Sequence, residues 1–263
     1  MTLTLGGGPL ASAAHGSFNF SLDEAPKHRL LFDDHPRRMR ALVDGHAILD
    51  STRGKLLHES NILPRYYLPI EDIDERYLEP SGHTTHCPFK GDAAYFDLKV
   101  GERRIENAIW HYPEPIEQAS WLRGYASVYT EAPDLWLQED ETVMGGMLRD
   151  PYHRVDVLES SRKVEVVVGG DRIAYSDRPK LLFETGVPPR PYLLRADVLP
   201  GVLEPSDTTS ECPYKGHANH FHVRAGGELV RNAAWTYVMP LPEAQKVAGH
   251  IAFDGEDVEV TLD

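Results

Sequence analysis

Two short turns in this sequence hold the residue types best suited to chemistry. Cys87-Pro88-Phe89-Lys90-Gly91 and Cys212-Pro213-Tyr214-Lys215-Gly216 each place a thiol three residues before an ammonium, inside a segment bounded by proline and glycine. A cation that close lowers the cost of ionising a thiol, so Cys87 with Lys90 and Cys212 with Lys215 are candidate nucleophilic pairs. His86 adds a base beside Cys87, whereas Glu211 beside Cys212 disfavours the thiolate, so the two turns do not share one Cys-His mechanism. The bland alternative is a buried cysteine that packs as a small hydrophobe.

Carboxylates stand at matched places: Glu59 and Asp72 on either side of Pro64-Arg65-Tyr66-Tyr67-Leu68, and Glu184 and Asp197 on either side of Pro189-Arg190-Pro191-Tyr192-Leu193. A carboxylate held near Lys90 or Lys215 can move a proton, or can simply pair with the lysine or cap a turn. Trp110 and Tyr112, like Trp235 and Tyr237, are two apart in a β-rich run and so share one sheet face. They are core residues, or the aromatic wall of a groove that also contains Tyr67 or Tyr192. His220 and His222 share a face near His217, a pattern that could bind a metal, but the matching positions Asp92, Tyr95 and Asp97 do not repeat it. Neither a metal nor another cofactor is expected.

What positions these groups is a duplicated domain. The two Cys-Pro-x-Lys-Gly turns are 125 residues apart, and that offset runs without a gap through His28-Arg29 and His153-Arg154, Leu78-Glu79-Pro80-Ser81 and Leu203-Glu204-Pro205-Ser206, and Asn107-Ala108 and Asn232-Ala233. A period this long means two globular units, not a solenoid. The expected division is a flexible arm over 1–26, a first domain over 27–138, a linker over 139–151 that includes Gly145-Gly146, and a second domain over 152–263. Asp44-Gly45, Gly169-Gly170 and Gly226-Gly227 signal tight hairpins, and the alternation of Val258, Val260 and Leu262 predicts a strand with one buried face. Helical patterns are brief, over 71–78 and 242–247. The fold class is therefore all-β or β-dominated, with antiparallel sheets and short helices.

With 27 basic and 41 acidic residues, the formal charge of −14 opposes nucleic acid and anionic membrane surfaces. No apolar run approaches the roughly 20 residues of a spanning helix. Two cysteines are too few for a disulfide-stapled secreted fold, and residues 1–20 lack the basic and apolar regions of a signal peptide. A cytoplasmic location is expected.

The string from Glu184 to Arg190, then Tyr192, Asp197, Leu203 to Ser206, Cys212 to Gly216 and Asn232 to Tyr237, resembles the family called domain of unknown function 427, also labelled nucleotidyltransferase-like. The resemblance spans nearly all of both copies and implies a β-tent domain, two antiparallel sheets meeting at an angle around a groove. It implies no agreed activity, and neither a phosphate-cradling glycine loop nor a paired-aspartate motif beyond Asp72 and Asp74 supports the transferase label. Several β-tent relatives hold zinc with two Cys-x-x-Cys pairs, which one cysteine per copy cannot reproduce. Copy one departs from the family pattern at Asn61-Ile62-Leu63 and Gly82-His83. The reading is a small-molecule binding module, its ligand anionic, with copy two holding the better-formed groove. The alternatives are an enzyme using Cys/Lys chemistry and a structural or partner-binding pseudo-dimer.

Overall fold

The computed structural model describes residues 3–5, 8–12, 21, 24–143 and 149–263. The chain divides after residue 148 into two compact units.

The first unit contains β1 (Leu30–Asp34), β2 (Met39–Val43), β3 (His46–Ser51), β4 (Lys55–Glu59), β5 (Ile62–Pro69), β6 (Leu78–Cys87), β7 (Gly91–Val100), β8 (Arg103–His111), β9 (Tyr125–Val128), β10 (Leu135–Gln138) and β11 (Glu141–Thr142). One sheet has seven strands in the order β1-β4-β5-β9-β8-β7-β6, and a second has four, β11-β10-β2-β3. Every pairing is antiparallel. Asp44 and Gly45 close the β2–β3 hairpin with φ of 47° and 75°, the two positive angles of a type I′ turn.

The second unit repeats this with β12 (Val155–Glu159), β13 (Val164–Val168), β14 (Asp171–Ser176), β15 (Lys180–Glu184), β16 (Arg190–Tyr192), β17 (Leu203–Cys212), β18 (Gly216–Ala225), β19 (Glu228–Tyr237), β20 (Ala252–Phe253) and β21 (Val258–Leu262). Its long sheet is divided into β12-β15-β16 and β17-β18-β19-β20, and the join is reduced to the bridge between Leu193 and Ile251, where β5 and β9 pair through Leu68 and Ala126. β16 is also shorter at its start: Pro188, which has no N–H to give a ladder, stands where β5 has Leu63, and β16 begins only at Arg190, whereas β5 begins at Ile62. The short helical patterns fold as 3-10 turns over Ile70–Asp72, Glu75–Tyr77 and Pro242–Val247.

Strand parity divides each long sheet into two buried faces. In the first unit Leu56, Tyr66 and Ile109 point toward β2, β3 and β10 and form the main core with Met39, Ile48 and Trp136. Their neighbours Leu57, Tyr67 and Trp110 point the other way, into a second cluster with Tyr112, Ala119 and Leu122. The second unit divides in the same manner: Leu193 and Phe253 lie in the main core, Tyr192 and Tyr237 in the second cluster. That second face carries the candidate site. The tip of the β18–β19 hairpin also abuts that of β13–β14, and a side-chain carbon on Gly226 would stand 2.6 Å from the Gly169 carbonyl oxygen.

The described part of the arm packs on the first unit. Thr4 and Ala11 are fully buried, Thr4 Oγ1 donates to the Ile62 carbonyl at 2.9 Å, and Arg29 Nη1 donates to the Ala11 carbonyl at 2.8 Å. Together with the bond from the Asn61 N–H to the Thr4 carbonyl at 2.8 Å, these contacts satisfy open backbone groups at the β4–β5 turn. Gly145 and Gly146 lie outside the described residues. No helix among the described residues is long and apolar enough to cross a membrane.

Candidate functional site

Each Cys-Pro-x-Lys-Gly turn closes a hairpin, β6–β7 or β17–β18, and aims its lysine under the sheet. The Lys90 N–H bonds back to the Cys87 carbonyl at 3.2 Å, and Gly91 takes φ of 104° in a space where an added side-chain carbon would stand 3.3 Å from the Glu114 carbonyl oxygen. Only glycine fits there without strain. Lys90 Nζ donates to both Glu59 oxygens, at 2.9 and 2.7 Å, and His28 Nε2 lies 3.3 Å from the same carboxylate. In copy two Lys215 bonds Glu184 Oε2 while His153 Nε2 lies 3.0 Å from Oε1. Each histidine stacks on the aromatic residue of its turn, Phe89 or Tyr214, with ring centroids 3.9 Å apart. Burial alone would push the Glu184 carboxyl up, but His153 and Lys215 outweigh that and hold it at about 2.

A second fixed contact joins the aromatic residues. Trp110 Nε1 donates to the Tyr67 hydroxyl and Trp235 Nε1 to the Tyr192 hydroxyl, both at 3.2 Å. Burial holds the hydroxyls of Tyr67, Tyr112, Tyr192 and Tyr237 well above the ordinary phenol value, so all four stay protonated.

The copies diverge above this shared floor. Copy two contains a cavity of about 320 Å³ whose lining includes Glu184, Arg190, Tyr192, Lys215, Trp235 and Tyr237. Ser210, His220 and Asp254 complete its polar rim. Arg190 lies over the Trp235 ring, 5.4 Å from its centroid, and pairs with Asp254 at 2.8 Å. In copy one the positions of Ser210, His220 and Asp254 hold Thr85, Tyr95 and Tyr129. Tyr95 is buried with its hydroxyl 2.9 Å from Thr85 Oγ1, and Tyr129 lies against Trp110 with centroids 4.5 Å apart. Glu59, Lys90 and Trp110 are accordingly buried, whereas Glu184, Lys215 and Trp235 remain partly exposed. Two tyrosine rings fill in copy one what two smaller polar side chains leave open in copy two.

Several candidates from the sequence fall elsewhere. Asp72 bonds Arg53 and accepts from Ser51 Oγ at 2.6 Å, and Asp197 lies in the matching 3-10 turn outside the cavity lining. The turn after β5 or β16 carries the aspartate toward β3 or β14 instead of toward the lysine. Cys87 and Cys212 are free and half-buried; Cys87 packs against the second cluster, and Cys212 is not among the residues that line the cavity. Lys215 pairs with Glu184, one of the two arrangements the sequence left open for a carboxylate near this lysine. His222 accepts from the Asn232 N–H at 3.0 Å at a bulge, His220 bonds Ser210, and no group of three metal-ligating side chains occurs among the described residues. Ser210 and Asp254 were missed as site residues and His220 was read only as a possible metal ligand, although each differs from its partner 125 positions earlier.

A family model described as a domain of unknown function, DUF427, matches residues 32–139 and again 156–263. No curated protein matches the chain.

Proposed function

We propose, for a chain that belongs to the domain of unknown function 427 family in two tandem copies, that the second repeat binds a small planar molecule and that the first is its closed structural counterpart. The observation that carries this reading is the replacement of His220 and Asp254 by Tyr95 and Tyr129 over an otherwise shared floor. The cavity of about 320 Å³ is at the small end of ligand sites. Trp235, Tyr192 and Tyr237 offer flat apolar contact with fixed polar edges. The Lys215 ammonium has N–H groups left over from its bond to Glu184 and suits a carboxylate or carbonyl at one end of the ligand. Because Glu184 and Asp254 offset Lys215 and Arg190, the site selects for shape first and for charge only weakly.

Benzoate and its neutral isostere benzamide test this. The four tryptophans give four indole signals in a nitrogen-proton spectrum, so Trp235 reports on copy two and Trp110 on copy one. Titration is expected to shift Trp235 and leave Trp110 in place, with benzoate favoured by less than about tenfold, the equivalent of 1.4 kcal/mol. Movement of Trp110 alone, or of neither signal, contradicts the reading.

A further inference from the structure

Ser210 on β17 and His220 on β18 meet across the sheet at the cavity rim, Ser210 Oγ lying 2.8 Å from His220 Nε2. That distance is hydrogen-bond reach between a nucleophile and a general base. Copy one keeps the cross-strand contact but builds it from Thr85 and a buried Tyr95. An imidazole accepts a proton near pH 7 and a phenol does not, so the substitution that opens the cavity also brings a base to a hydroxyl.

Resting on the binding reading above, we propose that Ser210 and His220 make the second repeat a slow acyl-transfer site for activated esters. Ser210 Oγ bonds to the ester carbonyl carbon while its proton passes to His220 Nε2. The bond from that carbon to the leaving oxygen then breaks as the imidazolium returns the proton to it. Water, losing a proton to the same nitrogen, attacks the acyl-serine, and release of the acid restores the hydroxyl. Lys215 lines the same cavity, and an N–H left over from its bond to Glu184 is the donor available to a carbonyl oxygen that turns negative. Trp235 and Tyr192 give the acyl group an apolar wall.

The pair lacks a third member. His220 Nδ1 is buried without a hydrogen-bond partner among the described residues. In serine hydrolases, disabling the aspartate that orients the base lowers turnover by roughly 10⁴. Activated esters are therefore within reach and amides are not, and the acyl-serine accumulates before water removes it.

Mixing the full chain with p-nitrophenyl acetate is the test. We expect a burst of nitrophenolate near one equivalent per chain, slow release afterwards, and acetyl mapped by peptide mass spectrometry to Ser210. Ser210→Ala abolishes the burst, and His220→Gln slows acylation at least about 100-fold, the lower range for a general base. Acetyl on Lys215 or elsewhere with Ser210 unmodified overturns the proposal, as does an acylation rate unchanged in His220→Gln. Benzoate binding to a wild-type chain that shows no acylation overturns the dyad alone and leaves the binding reading standing. Absence of both overturns the two together.

Discussion

Glu59 and Glu184 occupy the same place in the two repeats, yet they are held differently, and the difference can be measured. The Lys90 and Glu59 side chains are only 11% and 7% exposed, against 15% for both Lys215 and Glu184. Lys90→Met strands a buried carboxylate with His28 as its remaining partner, and breaking such a pair costs about 3–5 kcal/mol. Lys215→Met is expected to cost less, because water in the cavity reaches Glu184; urea denaturation of the two variants checks the order. The Glu184 carboxyl, at about 2 when folded against an ordinary 4.5, gives a pH dependence of definite sign. Its stabilisation, about 3 kcal/mol, is complete above pH 4.5 and is lost as the pH falls toward 2. The stability gap between wild type and Glu184→Gln should therefore shrink across that window; a gap that widens on acidification would show that the carboxylate is not favoured by folding. The residues of the shared floor were legible because duplication marks them. Asp72 and Asp197 were marked equally although they lie in the 3-10 turns outside the cavity lining, since duplication preserves a turn as faithfully as a site. Ser210 and Asp254 escaped notice, and His220 was set aside as a metal ligand, because they are unlike their partners, and a search for what two copies share passes over what makes one of them open.

At the scale of the element, the six strands β1 to β4, β6 and β7 recur in copy two with both ends displaced by the same 125 residues, so the register of the hairpins was written in the offset itself. Hairpin tips were legible from Asp44-Gly45 and Gly169-Gly170, because few residues accept positive φ. The bulges were not legible. Asn107 and Asn232 lie at the β7–β8 and β18–β19 irregularities with φ of 52° and 54°, and each takes a hydrogen bond from Ser81 or Ser206. In the sequence they read as ordinary strand residues of a repeat. Asparagine tolerates this left-handed conformation, whereas a β-branched residue does not. Asn232→Gly should be near neutral and Asn232→Val should cost about 1–2 kcal/mol, read as a lowered thermal midpoint. Equal midpoints for the two variants would mean that the bulge relaxes.

For the whole molecule, duplication has produced one repeat with a cavity over its Trp-Tyr floor and one whose matching floor is covered by tyrosines, on the same scaffold. The closed copy packs Tyr95 and Tyr129 over Trp110, while the open copy leaves Trp235 beneath Arg190 and His220. Neither the family match nor the charge of −14 bears on which copy works; that follows from two exchanged positions. They can be exchanged back. The most direct measurement is a benzoate titration, followed through the Trp235 and Trp110 indole signals, of wild type and of the chain carrying His220→Tyr with Asp254→Tyr, after circular dichroism has shown both folded. The Trp235 shift seen in wild type is expected to disappear in the exchanged chain, because two phenol rings then occupy the cavity. An exchanged chain that binds benzoate at Trp235 as tightly as wild type would contradict this expectation.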